Sequence, residues 1–277
     1  MTSHSWPTQR LTQKVQFSGD GVHSGENCRV TVGPGQAGAG CWMERDGHRW
    51  PALAESVVDL ERCTVLGNGH CRVSTVEHLF AALAALHIYD CEVQVEGAEI
   101  PILDGSALPF LDGLKAHLQT SCPIEPLVLA QPLWVGNEQS QVLALPSPVC
   151  RLHYSLYYPK TPIGYQEASF EPLRESFEQK LAPARTFALE CEVEWLRANG
   201  LARGGSLDNA LVVLAEGFSS PLRLDQEMAR HKCLDLVGDL YLLGRPLLAQ
   251  VFAVKAGHRW HVELVRKMLR ELAENAE

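Results

Sequence analysis

The segment "RHKCLDLVGD" (230–239) sets His231, Asp235 and Asp239 four residues apart among leucine and valine. On an α-helix, residues i and i+4 share a face with Cβ atoms about 6 Å apart, so His231 and Asp235 can ligate one metal ion while Asp239 lies a turn further along the stripe. The same spacing also serves a histidine hydrogen-bonded to a carboxylate on the next turn. A third ligand must come from another segment, and His78 in "STVEHLF" (74–80) is the candidate. Glu77 directly precedes it, and a Glu-His pair can supply a zinc hydrolase with both a ligand and a nearby base. Ser74-x-x-Glu77 also fits a capping box, in which Glu77 bonds back to the helix start and has no chemical role. Cost favours chemistry: the segment after Glu77 is apolar nearly all round, and burying an adjacent Glu and His there is expensive without a polar partner such as a metal. Two histidines and one aspartate leave the fourth zinc position open, as catalytic sites require.

These side chains need elements to hold them. The apolar run "STVEHLFAALAALHI" (74–88) predicts a buried helix, the second half of 101–119 another, 226–243 a third, and "HRWHVELVRKMLRELAENA" (258–276) an amphipathic terminal helix. "CRVTVG" (28–33), "DCEVQVEG" (90–97) and "LLAQVFAVKAG" (247–257) read as strands, and the glycines of "GPGQAGAG" (33–40) predict a hairpin-type connection. Three prolines make "SCPIEPLVLAQP" (121–132) the best boundary, because such segments continue neither a helix nor a central strand. The expectation is an α+β fold of two similar units, 1–122 and 127–277, each several strands followed by helices.

Composition narrows the function. A chain of 277 residues, 46% of them hydrophobic, can bury a large core. The formal net charge of -9, without a long basic run, argues against a nucleic-acid partner. The most apolar window, "LFAALAAL" (79–86), is far short of the roughly 20 residues that span a bilayer, so no transmembrane segment is expected. Neither is a signal peptide expected in the first thirty residues. Nine cysteines without a CxxC pair fit reduced thiols, and the expected compartment is the cytoplasm.

Together with "GDGVHSGE" (19–26), the segments "TVEHLFAAL" (75–83), "EIPILDGSALPF" (99–110), "ARTFALE" (184–190), "GLARGGSLDNALVV" (200–213), "RHKCLDLVGDLYLLG" (230–244) and "KAGH" (255–258) cover nearly the whole chain in order. In them the sequence resembles the UDP-3-O-acyl-N-acetylglucosamine deacetylases, zinc amidases of lipid A synthesis in Gram-negative bacteria. The resemblance implies Zn2+ on His78, His231 and Asp235, with Glu77 as the general base. It implies His258 as the acid that protonates the departing amine and Asp239 as the carboxylate that orients it; His261, three residues on, competes for the acid's role. Lys232 and Thr186 match residues that hold substrate and stabilise the oxyanion. The implied substrate is a small acylated UDP-amino sugar, whose lipid chain brings the protein near a membrane surface. The implied fold layers a sheet with helices in each half, packs the helices between the sheets and sets the zinc site at their junction. An insertion at about 188–217 is implied to form an apolar acyl passage, with Phe187, Val193, Leu201, Ala202, Leu207 and Val212 against the substrate. Ala188 stands where the family usually has glycine after Phe187, which would restrict the backbone there, and 159–172 follows the family only loosely. Two rivals remain: a zinc amidase of the same fold acting on another acylated amine, and a catalytically silent binding homologue.

Overall fold

Alternation of apolar and polar residues builds the strands. In Asn27–Pro34, Cys28, Val30 and Val32 are buried while Asn27 and Arg29 face solvent, and the same period runs through Cys91–Glu96 and Arg151–Tyr158. The computed structural model describes residues 5–274. Its strands form two principal sheets.

The two sheets share one plan. In the first, the order is Val15–Asp20, Asn27–Pro34, Cys91–Glu96, Cys41–Arg45, His48–Pro51; in the second, Leu133–Gly136, Gln141–Pro146, Leu247–Val254, Arg151–Tyr158, Gly164–Phe170. Each is two antiparallel hairpins held apart by a later strand, which runs antiparallel to the strand before it and parallel to the strand after it. The halves are therefore topological duplicates although no sequence repeat marks them. Strand pairing changes sides between Ile124 and Leu127: Leu118–Ile124 pairs back onto Trp6–Leu11, whereas Leu127–Val128 pairs forward onto Leu247–Val254.

This plan corrects one expectation. Residues 33–40 do not close a hairpin, because Cys91–Glu96 occupies the place between Asn27–Pro34 and Cys41–Arg45. The glycines instead carry the chain over the start of that strand, and Asp90 accepts the N–H groups of Gly38 and Gly40 at 2.9 and 2.8 Å.

Six helices are described: α1 (Glu77–Ala85), α2 (Leu108–Lys115), α3 (Phe177–Lys180), α4 (Glu190–Ala198), α5 (Glu227–Leu240) and α6 (His258–Glu274). Residues 275 and 276 of the predicted terminal helix lie outside the described residues. α1 packs against α2 and α5, and α5 packs against α6 and the strands Arg151–Tyr158 and Gly164–Phe170. Because α1 is covered on nearly every side, its apolar composition is explained: Leu79, Phe80, Ala81, Ala82 and Leu83 are all buried. α5 carries a glycine in mid-helix for a reason of space. A Cβ on Gly238 would strike the carbonyl oxygen of Glu77, so the first turn of α1 can approach α5 this closely only over glycine.

The capping-box reading of Ser74 and Glu77 is overturned. α1 starts at Glu77 with Val76 at its N-cap and no side-chain cap. Ser74 is bridged to Glu99, its N–H donating to Ala98 and its carbonyl accepting from Ile100, and Thr75 turns the chain at φ 60°. Held in that bridge, Ser74 stands too far from the helix start to cap it.

Candidate active site

α1 and α5 bring the three candidate ligands together. His78 Nε2 and His231 Nε2 lie 3.7 and 3.5 Å from the same atom, Asp235 Oδ1, and the two rings meet edge to face with centroids 5.0 Å apart. All three side chains are buried. The carbonyl of Ala184 accepts the Nδ1–H of His231 at 3.1 Å, which leaves the lone pair of the neutral ring on Nε2. Burial lowers the pKa of both histidines, that of His78 to about 3, so both rings are neutral.

Asp235 Oδ1 has no hydrogen-bond partner despite its burial. A buried carboxylate oxygen that faces two imidazole nitrogens at these distances is too far for hydrogen bonds and is stable only around a cation. Ligand atoms bonded tetrahedrally at about 2.0–2.1 Å stand about 3.3–3.4 Å apart, close to what is seen here. The residues therefore fit a metal ion. Lys232 Nζ donates to the other oxygen, Oδ2, at 2.7 Å, holding the carboxylate with Oδ1 toward the histidines.

A second buried trio, Asp239, His258 and His261, is built differently. Both Nδ1–H groups donate to Asp239 Oδ2 at 2.8 Å. These are hydrogen bonds, and the trio is a carboxylate hub. His258 Nε2 points out of it toward Glu77 Oε1, at 3.9 Å, and toward Asp235 Oδ2, at 4.0 Å. His261 is fully buried and does not line the cavity, so of the two histidines only His258 faces the metal set.

The electrostatics of this cluster pull its acid and base apart. Burial raises Glu77 to about 7, partly offset by the nearby His258. Burial opposes the cationic form of His258, yet Asp239 and Glu77 outweigh it and raise the pKa to about 9. Burial likewise opposes ionisation of Asp239, but His258 and the two hydrogen bonds hold it down at about 2. A carboxylate tuned upward beside a histidine held cationic is the arrangement of a general base and a general acid.

The cluster opens into a cavity of about 490 Å³, lined among others by Glu77, His78, Thr186, Phe187, His231, Lys232, Asp235 and His258. Thr186 is placed by its N–H, which donates to Gly105 at 2.7 Å. Gly105 has φ 82°, and a Cβ there would strike the Asn209 carbonyl, so the "LDGS" turn needs glycine. Next to Thr186, Arg185 is gripped by Glu227: its N–H and Nε both donate to Oε1, at 3.0 and 2.8 Å. Glu227 sits one turn before His231 on α5, so the helix that carries the ligand also clamps the segment whose Ala184 carbonyl orients it.

The insertion folds as α4 beside a small sheet of Phe187–Leu189, Leu211–Leu214 and Gly217–Phe218. Of the six residues expected against the substrate, Phe187 and Ala202 line the cavity and Val193, Leu201, Leu207 and Val212 do not; Leu207 is 61% exposed. Leu196, Ala188 and Ala210 line it from the same insertion. Ala188 lies in a strand paired with Val212, a conformation that does not call for glycine.

Sequence reasoning passed over Thr64, Arg62, Leu196 and Ala210. Arg62 lines the cavity and joins it to α4, through an ion pair with Glu192 at 3.0 Å and by lying over the Trp195 ring. Thr64, buried in "RCTV", bonds both Glu77 and Asp239. No periodic pattern marks either residue. The only available signal was a polar threonine among apolar neighbours.

The chain matches the model of the UDP-3-O-acyl N-acetylglycosamine deacetylase family over residues 8–270. It is 40% identical over 270 residues to the UDP-3-O-acyl-N-acetylglucosamine deacetylase of Chlamydia felis, covering 95% of this chain and 96% of that protein. The protein of the same name from Thermosynechococcus vestitus is 40% identical over 272 residues, with 95% of each chain covered. The one from Nostoc sp. is 38% identical over 272 residues, covering 94% of this chain and 97% of the other.

Proposed function

Since the chain belongs to the UDP-3-O-acyl-N-acetylglucosamine deacetylase family, we propose that the cluster on α1, α5 and α6 is its catalytic centre. The reaction is hydrolysis of the N-acetyl group of UDP-3-O-acyl-N-acetylglucosamine to a free amine and acetate, a step of lipid A biosynthesis. We read the resident metal as zinc, held by His78, His231 and Asp235. When bound, zinc supplies Lewis acidity: it acidifies water and polarises a carbonyl group.

The chain's own residues do the rest. Glu77 Oε1 takes the proton from the attacking water as the C–O bond forms at the acetyl carbon. Lys232 offsets negative charge that gathers on the carbonyl oxygen, and Thr186 beside it helps to orient the amide. His258 Nε2–H gives its proton to the amide nitrogen as the C–N bond breaks, since an amine anion is too poor a leaving group without it. Glu77 and His258 end the cycle with one proton misplaced between atoms 3.9 Å apart, a gap that a proton returning through one water resets. Arg62, Lys232, Lys255 and Arg259 also line the cavity, and their charge complements the diphosphate of a UDP-sugar.

Of the two units, 1–122 contributes α1 to this centre and 127–277 contributes α5 and α6; the change of strand pairing between Ile124 and Leu127 supports that division. No described helix is long and apolar enough to cross a membrane. We read the compartment as cytoplasm, on nine cysteines that are all free.

One observation carries the reading: two neutral imidazoles converge on an unpartnered buried carboxylate oxygen in the cavity that Glu77 and His258 also line. Purified protein given UDP-3-O-acyl-N-acetylglucosamine is expected to release acetate and free amine in equal amounts, to stop after chelation and to recover with added zinc. An intact substrate with full metal occupancy would overturn the reading.

A further inference from the structure

We propose that Thr64 is a positioning residue that assigns the oxygens of two carboxylates, keeping one of each for structure and presenting the other to the chemistry. Thr64 is completely buried and lies just before the short strand Val65–Gly67. Its N–H donates to Glu77 Oε2 at 3.0 Å, and its hydroxyl donates to Asp239 Oδ1 at 2.6 Å. An ionised carboxylate only accepts, so the hydroxyl proton belongs to Asp239. With Oε2 engaged, Oε1 is the oxygen of Glu77 that faces His258 Nε2. With Oδ1 engaged, Oδ2 is the oxygen of Asp239 that receives His258 and His261.

The contact spans the molecule. Glu77 is 13 residues from Thr64 and Asp239 is 175 residues away, so one residue, through its backbone N–H and its hydroxyl, ties α1 to α5 at the level of both proton-transfer groups. The Thr64 carbonyl also accepts from Val76 N–H at 3.4 Å, fixing the turn that starts α1. A hydrogen bond to a buried charge is among the stronger ones, and its loss leaves that carboxylate free to rotate or to seek another donor. Without the hydroxyl, Oδ1 and Oδ2 of Asp239 compete for the two imidazoles, and His258 loses its fixed aim.

This inference rests on the reading of Glu77 as base and of Asp239 as partner of the acid His258. Thr64→Val removes the hydroxyl at nearly constant shape and leaves the N–H to Glu77 in place. The expected result is a fall in kcat of about 10- to 100-fold, with KM within about twofold and metal content unchanged. Thr64→Ser is expected to recover most of the lost rate. In an Asp239→Ala background, Thr64→Val is expected to cost no more than about twofold further, because residues acting as a unit are not additive. If Thr64→Val fails to fold, Thr64→Ala enters the same cycle. An unimpaired Thr64→Val beside an impaired Asp239→Ala overturns the positioning role and leaves the catalytic reading standing. A full additional loss in the Asp239→Ala background also overturns it, by showing that Thr64 acts through packing alone. An unimpaired Asp239→Ala instead defeats the role given to Asp239.

Discussion

The cavity has two walls of different make. On the helical wall, Glu77, His78, His231, Asp235, Asp239 and His258 are all at most 6% exposed, and half of their polar side-chain atoms are held by a named partner. On the wall made by the insertion, α4 buries Leu196 alone, Trp195 is half exposed and Leu207 stands out in solvent. The first wall works by electrostatics in a dry, preorganised setting, where small displacements are costly. The second works by shape and apolar contact, where one methylene is worth about 1–3 kcal/mol. Substitutions on the two walls should therefore differ in size and in kind.

The largest effect is expected at the ligands. His78→Ala or His231→Ala removes one of three protein donors from a buried site, and the predicted outcome is loss of bound metal together with turnover. Metal analysis after gel filtration checks it. Full occupancy in both variants would show that the helical wall is a hydrogen-bonded cluster and would dissolve the contrast between the walls.

That wall was also the more legible one, for a physical reason. A helix repeats every 3.6 residues, so spacing alone aligned His231, Asp235 and Asp239, and adjacency linked Glu77 to His78. The role of His258 came from its "KAGH" context and not from any period. At Ser74 the same local reading offered a rival, a capping pattern, which a bridge to Glu99, a partner 25 residues away, overrides. It read 90–97 as a strand but missed that this strand enters between Asn27–Pro34 and Cys41–Arg45, since pairing partners far along the chain leave no local trace. The insertion has the same difficulty: Arg203 and Gly204 donate to the carbonyls of His23 and Val22 in the other half, so contacts outside the insertion decide which of its residues face the cavity.

A smaller but more diagnostic effect lies in pH. Glu77 must be unprotonated to act and His258 protonated, so kcat/KM should rise as Glu77 loses its proton and fall as His258 loses its own. Burial brings the first ionisation up to about 7 and the Asp239 and Glu77 charges bring the second up to about 9, against the burial of His258. A divalent cation on the ligand set draws both lower. Glu77→Gln is predicted to keep the metal and lose about 10²-fold or more in turnover. In Asp239→Asn a neutral amide no longer stabilises the imidazolium, so the alkaline limb should move to lower pH, and the acid limb should follow by less, because the Asp239 charge is a lesser contributor to the raised Glu77 pKa. Profiles measured on both variants decide it; an alkaline limb unmoved in Asp239→Asn, at near-normal rate, would remove His258 from the acid's role.

The smallest effect is expected on the insertion, where it tests whether shape alone governs that wall. Ala210 lines the cavity just before the strand Leu211–Leu214, and Leu207, three residues earlier, is exposed. Ala210→Leu places three more carbons in the cavity, and overfilling an apolar site costs about 1–3 kcal/mol, or roughly 5-fold in binding at the low end. The loss should appear in kcat/KM for a long-chain 3-O-acyl substrate and nearly vanish for a short-chain one, with kcat and metal content unchanged, because the added carbons touch no proton-transfer group. Leu207→Ala should change either substrate by less than about twofold, as surface positions usually do. Steady-state kinetics with a chain-length series measures both. If Leu207→Ala costs as much as Ala210→Leu and only on long chains, then the insertion closes around the acyl chain when substrate binds, and the second wall is completed by its ligand.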